Sequence, residues 1–270
     1  MAIITISRGT FSGGKAVAES LSEKLGYPCI SKEIILDAAE EFGVPEEQLV
    51  AALEKPPKSL TLKPSRRAAN LNYVRYALLQ AIRDGNLVFH GMVGYLLIRS
   101  ISQILRVRVI EDIESRIIAA MEEHDLTRPK AESRIAKEDR QFRKWTSFLW
   151  DVDGESPSLY DVIINLECMS VESAVELIEK MTKLNEFIPS EESREALNDQ
   201  ILSSLVWAAL TKDERTSSAN VRIVSSNGGV TISGNVASKG IIDAIQEIVM
   251  KIDGVQRLNN EVSIGEDWPW

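Results

Sequence analysis

Histidine and cysteine are scarce in this chain, which holds two of each. His90 and His124 stand apart, with no cysteine or acidic residue near either at metal-ligand spacing, so no protein-held metal is expected. Neither histidine has an evident serine or cysteine partner, and no nucleophile-elbow pattern is present. Cys29 and Cys168 make no C-x-x-C pair and read as buried free thiols in a reducing compartment. An excess of basic residues is also missing. The net charge of −9 and the pI near 5.0 argue against a nucleic-acid partner. No run of 18 apolar residues occurs, so no membrane span is expected. No charged, then apolar leader precedes the first apolar segment, and a soluble cytoplasmic protein is expected.

What is present begins at the amino terminus. Ile3-Ile4-Thr5-Ile6 is a β-branched run of the kind that forms a buried strand. Val17, Ala18, Leu21 and Leu25 then recur at helical spacing. Between them, Gly9 to Lys15 fits the first seven positions of G-x-x-x-x-G-K-[ST], a phosphate-binding loop. Glycines let such a loop turn with positive φ and bring backbone N–H groups up to phosphate oxygens. The helix that follows points its positive end at the same anion. Gly9, Ser12, Gly13, Gly14, Lys15 and Ala16 are therefore the candidate nucleotide-binding residues, with Lys15 reaching the terminal phosphates. Ala16 stands where the motif wants a hydroxyl for Mg²⁺, so the magnesium site is weakened.

Strand and helix patterns then alternate. Helices are predicted over 32–42, 45–53, 65–82, 93–102, 113–124, 130–150 and 171–184, with Ser65 as an N-cap. Strands are predicted at 29–30, 87–91, 105–110 and 160–165. This rhythm means an α/β fold with a mainly parallel sheet flanked by helices. Near Phe187–Glu192 it changes to a helix, a hairpin turning at Asn227-Gly228-Gly229, a helix and a last strand. This α-β-β-α-β order predicts a smaller α+β domain that folds independently, joined near 183–195.

Residues 1 to about 185 resemble the cytidylate-kinase-like group of P-loop nucleoside monophosphate kinases. The resemblance rests on Ile4-Thr5-Ile6-Ser7-Arg8 leading into Ser12-Gly13-Gly14-Lys15, then Leu25-Gly26-Tyr27-Pro28 and Lys32-Glu33-Ile34-Ile35. It continues with Arg106 to Ile110, Glu114-Ser115-Arg116-Ile117, Asp139-Arg140 and Tyr160 to Asn165. It implies transfer of the γ-phosphoryl of ATP to a nucleoside monophosphate, with Mg²⁺ and lid arginines. Residues from about 195 to 265 resemble a BON domain, on Ser225 to Val236 and Gly254 to Val262. That resemblance implies a module that binds a protein or lipid partner. The oligomeric state stays open, a homo-oligomer included.

Phosphoryl transfer needs positive charge and alignment more than covalent chemistry. Arg134 and Arg140 are the candidate catalytic cations beside Lys15; Lys137, Arg143, Lys144, Arg128 and Arg116 are further ones. Lys137, Arg140 and Lys144 share one helix face, and Ile135, Phe142, Trp145 and Leu149 an adjoining apolar one, as in a lid. On the substrate side the kinase family has an arginine where Met92 stands, and many members an acid where His90 stands. Arg66, Arg75 and Arg99 are the candidates to hold the acceptor in their place. Two readings follow: an ATP-dependent monophosphate kinase, or a nucleotide-binding regulator with weakened catalysis that acts through its BON domain.

Overall fold

The computed structural model describes residues 2–54, 64–91 and 94–265. Its strands are β1 (Ile3–Arg8), β2 (Cys29–Ile30), β3 (Leu87–Gly91), β4 (Ile104–Ile110), β5 (Val162–Asn165), β6 (Asn220–Ser226), β7 (Gly229–Val236) and β8 (Arg257–Ile264). Its helices are α1 (Gly14–Leu25), α2 (Glu33–Phe42), α3 (Glu46–Glu54), α4 (Pro64–Ile82), α5 (Gly94–Leu97), α6 (Ile113–His124), α7 (Arg128–Trp150), α8 (Val171–Met181), α9 (Glu191–Lys212) and α10 (Lys239–Val249). They fall into two compact units. The first draws on the described parts of Met1–Leu36, Leu53–Ser59 and Asp84–Pro189, the second on those of Asp37–Ala52, Leu60–Arg83 and Ser190–Trp270.

The first unit is built on a five-stranded sheet in the order β2-β3-β1-β4-β5, with every pair parallel. The β-branched runs explain it, since a parallel strand is covered on both faces. On one face Ile4, Ile6, Val88, Val107 and Val109 form a core with Val17, Ala18 and Leu21 of α1 and Ala174, Val175 and Ile178 of α8. β1 lies at the centre, between β3 and β4, so the loop leaving it opens at the carboxyl edge of the sheet. Ligands of open α/β sheets bind at such an edge.

The second unit holds a three-stranded sheet, with β6 antiparallel and β8 parallel to β7. Asn227 at φ 48° and Gly228 at φ 71° turn β6 into β7, both left-handed as a type I′ hairpin demands. Val230, Ile232, Val236 and Val262 meet Ile245 and Val249 of α10 and Leu202, Val206 and Leu210 of α9. α9 is also buried on its other side, against α4. Asn72 of α4 donates Nδ2 to the Ser204 carbonyl at 2.9 Å and accepts from the Ser204 hydroxyl at 2.8 Å. Arg75 donates to Gln200 at 2.5 Å and to the Ser204 hydroxyl at 3.3 Å. Phe42 of α2 stacks on Tyr73 with centroids 4.4 Å apart. The stretches 37–52 and 64–83, inserted in sequence between β2 and β3, thus belong to the same body as the carboxy-terminal sheet.

Several expected elements shift. The helix expected over 93–102 is the short α5, after which the chain tightens into i→i+3 turns, Ile98 bonding Tyr95 and Ile101 bonding Ile98. That spacing of three aligns Tyr95, Ile98 and Ile101, all buried. α4 begins at Pro64, one residue before the cap expected at Ser65, because proline's fixed φ suits a first helical position. A 3₁₀ turn over Pro157–Leu159 delays β5 to Val162. The thiols are free, but Cys168 is exposed and Cys29 only partly covered, against the expectation of two buried cysteines; Cys168 follows the end of β5, beyond its paired strand. Among the described residues no helix is long and apolar enough to cross a membrane.

The Asn72–Ser204 exchange should contribute measurably to the second unit. Asn72→Leu takes from the buried Ser204 the acceptor of its hydroxyl proton and the side-chain donor to its carbonyl, at a cost of roughly 1–3 kcal/mol. Urea unfolding of the full chain checks this, and an unchanged midpoint would deny the exchange any energetic role. A chain starting at Ser193 lacks α4, exposes the Gln200–Ser204 side of α9, and is expected to melt below the full chain by calorimetry.

Candidate functional site

The loop leaves β1 at Gly9 and enters α1 at Gly14. Gly13 is the N-cap of α1 and is left-handed, at φ 68°. A Cβ there would lie 2.5 Å from Leu166 Cδ1, so only glycine fits. Gly14 is held as closely, since its Cβ would meet Arg8 Cβ at 2.6 Å. No side chain caps α1, and its first turn carries no acid. The helix therefore presents its N-terminal N–H groups and partial positive charge at the loop. Ser12 is turned inward, donating to the carbonyls of Gly9 at 3.0 Å and Val109 at 3.2 Å, and so braces the loop against β4. Lys15 is exposed, with only Glu19 beside it at 3.7 Å. Ala16 is exposed and offers a methyl group where a metal-binding hydroxyl would stand.

The outer half of the loop is fastened to the helix pair α6–α7. Phe11, at φ 57°, packs against the buried cluster of Ile117, Ala120, Ala131 and Ile135. Its ring meets His124 edge-on at 5.4 Å and lies under the Arg134 guanidinium at 5.2 Å. Arg116 donates to the Thr10 carbonyl at 2.8 Å and to Asp139 at 2.7 Å. Thr10 donates to Glu138 at 3.0 Å, and Glu138 also accepts from Arg134 at 2.9 Å. Asp112 caps α6 by accepting from the N–H groups of Glu114 and Ser115. The neighbouring Glu111 reaches toward Gly13, and burial, then the charge of Asp112, pushes its carboxyl above the usual range.

A second polar cluster sits on the opposite face of β1. Ser7 Oγ lies 3.3 Å from the Tyr160 hydroxyl, which is 2.7 Å from the Tyr95 hydroxyl. Buried Arg108 donates to Tyr160 at 3.2 Å and is sandwiched between the rings of Tyr160 and Phe142, each 5.5 Å away. Tyr160 donates to the Gly154 carbonyl, and Glu155 lies 3.6 Å from Arg108. The segment after α7 is thereby tied to β1 and β4. Burial, with Tyr160 alongside, raises the Tyr95 phenol well beyond its ordinary value, so it stays neutral.

The structure brings together Gly9, Ser12, Gly13, Gly14, Lys15, Ala16 and Arg134. Arg140 is exposed farther along α7, away from the Arg134 side of the helix. Arg99 is exposed in the first unit and Arg66 in the second. Arg75 is occupied by Gln200 and Ser204, and burial lowers its pKa. Met92 lies outside the described residues. Phe11, Glu138, Glu111, Arg108 and Tyr160 went unmarked in the sequence as site residues. Phe11 alone left a sign there, an aromatic inside a loop of small residues.

A central parallel strand that runs through a glycine loop into an uncapped helix, in the order 2-3-1-4-5, defines a P-loop kinase-like α/β protein. The chain belongs to the cytidylate kinase-like family, whose model matches residues 3–167, and it carries a BON domain at residues 198–266. It is 28% identical over 184 residues to the cytidylate kinase of Archaeoglobus fulgidus, covering 67% of this chain and 94% of that one. A solved structure of an uncharacterized protein from Eubacterium ventriosum shares the fold at 20% identity and a TM-score of 0.51, covering 67% of this chain and 98% of that one.

Gly13→Ala tests the loop geometry. The left-handed strain costs about 1–2 kcal/mol and the contact with Leu166 adds to it. Loss of nucleotide affinity together with a lowered melting temperature is expected; wild-type values for both would contradict the tight turn described here.

Proposed function

We propose that the chain is an ATP-dependent nucleoside monophosphate kinase of the cytidylate type, its BON domain serving as a docking module for a protein or lipid partner. The observation that carries this reading is the α1 N-terminus: its N-cap glycine has no capping side chain, its first turn carries no acid, and exposed Lys15 flanks it. Such a cradle suits the phosphates of ATP. Lys15 would reach the terminal phosphates, the loop N–H groups would hold them, and Arg134, fixed on Phe11 and Glu138, would face the developing charge. The cytidylate kinase relative supports CMP as the first acceptor to try. Arg66 and Arg99, both exposed, remain proposals for its phosphate, as Arg140 does for catalysis.

The residues fit ATP better than they fit magnesium. Ala16 has no side-chain oxygen to offer, and near the end of β3 stands His90 rather than a carboxylate. Among the described residues no three His, Cys, Asp or Glu side chains gather as a ligand set. Any Mg²⁺ would take its ligands from water and substrate phosphates. That mismatch favours a second reading, a nucleotide-binding regulator with slow or lost transfer that signals through the BON-containing unit.

Calorimetry with ATP and coupled assays with CMP, dCMP, UMP and AMP test both. Lys15→Ala should weaken ATP binding by about 10- to 100-fold, as loss of a charge-assisted contact of roughly 1.5–3 kcal/mol requires. Equal affinity in the variant would sink the phosphate-site reading. If transfer is impaired at the metal, Ala16→Ser should raise kcat more than it raises ATP affinity. Brisk wild-type turnover, unchanged by that substitution, would leave the ordinary kinase reading.

A further inference from the structure

His90 is the last residue but one of β3, beside the centre of the sheet, paired in register with Ile6, two residues before the chain leaves β1 as Arg8 and Gly9. It is only 8% exposed, yet its Nδ1 is buried with no hydrogen-bond partner among the described residues. An orphaned polar atom of this kind is costly and calls for an explanation. Arg8, on the same face of the neighbouring strand, shows the same feature at Nε. Arg8 borders the loop, since it leads into it and its side chain lies against Gly14 at the α1 N-terminus, and Arg8 and Lys15 are the cations that act on His90.

The charges around His90 can be named element by element. β1 brings Arg8, and α1 brings Lys15 and Glu19. The start of α2 brings Glu33. β2 brings the Cys29 thiol, which burial and then Glu19 and Glu33 keep protonated. The Tyr95 phenol of α5 belongs to the cluster on the opposite face of β1, with Tyr160 and Ser7. Burial first, and then Arg8 and Lys15, hold the imidazole below its ordinary pKa against the opposing pull of the two glutamates. His90 is therefore neutral near pH 7 in a site that holds two cations and an uncapped helix end.

We propose that His90 is the proton-coupled member of the phosphate site: its ring is neutral while the site is empty and takes up a proton when a phosphate-bearing anion settles against Arg8, Lys15 and the α1 N-terminus. The inference rests on the reading of the loop as a phosphate site. The physical cause is charge balance. A polyanion cancels the two cations that disfavour the imidazolium, and it supplies the acceptors that a doubly protonated ring seeks. The sign follows by linkage. Binding raises the His90 pKa, so binding takes up a proton, and affinity strengthens as pH falls through the window between the free and bound pKa values. Each unit of rise strengthens affinity by up to about tenfold. An acid at this position would act in reverse, repelling the anion unless a cation screened it. A histidine there lets the site neutralise phosphate with a proton, where no group of metal-holding side chains gathers among the described residues.

The experiment uses the full chain, with ATP or inorganic pyrophosphate as probe and no added Mg²⁺. With only two histidines, the imidazole Cε1–H resonances in the NMR spectrum are two, and His124→Gln assigns them without disturbing His90. The His90 resonance should titrate below the usual histidine range in the free protein and at higher pH with saturating probe. In calorimetry across buffers of different ionisation enthalpy near pH 6.5, the wild type should take up a fraction of a proton per ATP beyond that taken up by His90→Asn. Binding of both probes with an unmoved His90 titration and equal proton uptake in the variant would overturn the proposal while leaving the phosphate site standing. Failure of either probe to bind at any pH would overturn both. Should His90→Asn fail to fold, the wild-type NMR titration decides alone.

Discussion

The first unit depends on one backbone constraint, the reversal of β1 into α1 through a left-handed Gly13 pressed against Leu166. Because the helix begins on a residue with no side chain, no capping side chain bonds its first turn among the described residues. Its N–H groups are left to an outside acceptor, which is what an anion site requires. Two anchors hold that turn open. Ser12 ties its inner wall to the Val109 carbonyl of β4, and Phe11 sinks its outer wall among Ile117, Ala120, Ala131 and Ile135. Arg116 and Glu138 then bond to Thr10 from α6 and α7. The loop and the cationic helix therefore share contacts, and a movement of α7 would be felt at the loop through Thr10 and Phe11.

The far end of α7 is tied down by different chemistry. Arg108 is buried between two aromatic rings and donates to Tyr160, which in turn donates to Gly154. Gly154 has no room for a side chain, since a Cβ would meet Thr146 at 2.6 Å. A buried guanidinium is tolerated only when its donors and its charge are met, and here aromatic faces, a hydroxyl and Glu155 share that work. The same network reaches Ser7, the last residue but one of β1. β1 thus carries an apolar face toward α1 and α8 and, at its end, a polar face toward Tyr160 and Arg108.

The second unit joins two parts of the chain that the sequence separates. α9 is the shared element, with Leu202, Val206 and Leu210 toward the carboxy-terminal sheet and Gln200 and Ser204 toward α4. Small residues on the α4 side, with Ser204 and Ala208 nearly fully buried, let the two helices approach. Asn72 and Arg75 convert that approach into paired hydrogen bonds. An insertion of the kinase-like region and a BON domain are in this way parts of one body.

Much of this was determined by the sequence alone. Apolar runs of period two and 3.6, with glycine turns between them, marked nearly every strand and helix, because burial on one or two faces imposes those periods. The Gly9–Lys15 spacing marked the loop, because glycine adopts the positive φ of Gly13 without the strain a side chain brings. The tertiary structure alone decided which cations stand beside the loop. Arg134 and Arg75 are alike on paper; one is held at the loop by Phe11 and Glu138, the other is taken by Gln200 and Ser204. The partners of Arg108 and the orphaned Nδ1 of His90 were equally hidden. Both depend on groups brought together from distant strands and helices, and periodicity along the chain records which face a residue takes but not which residue waits opposite.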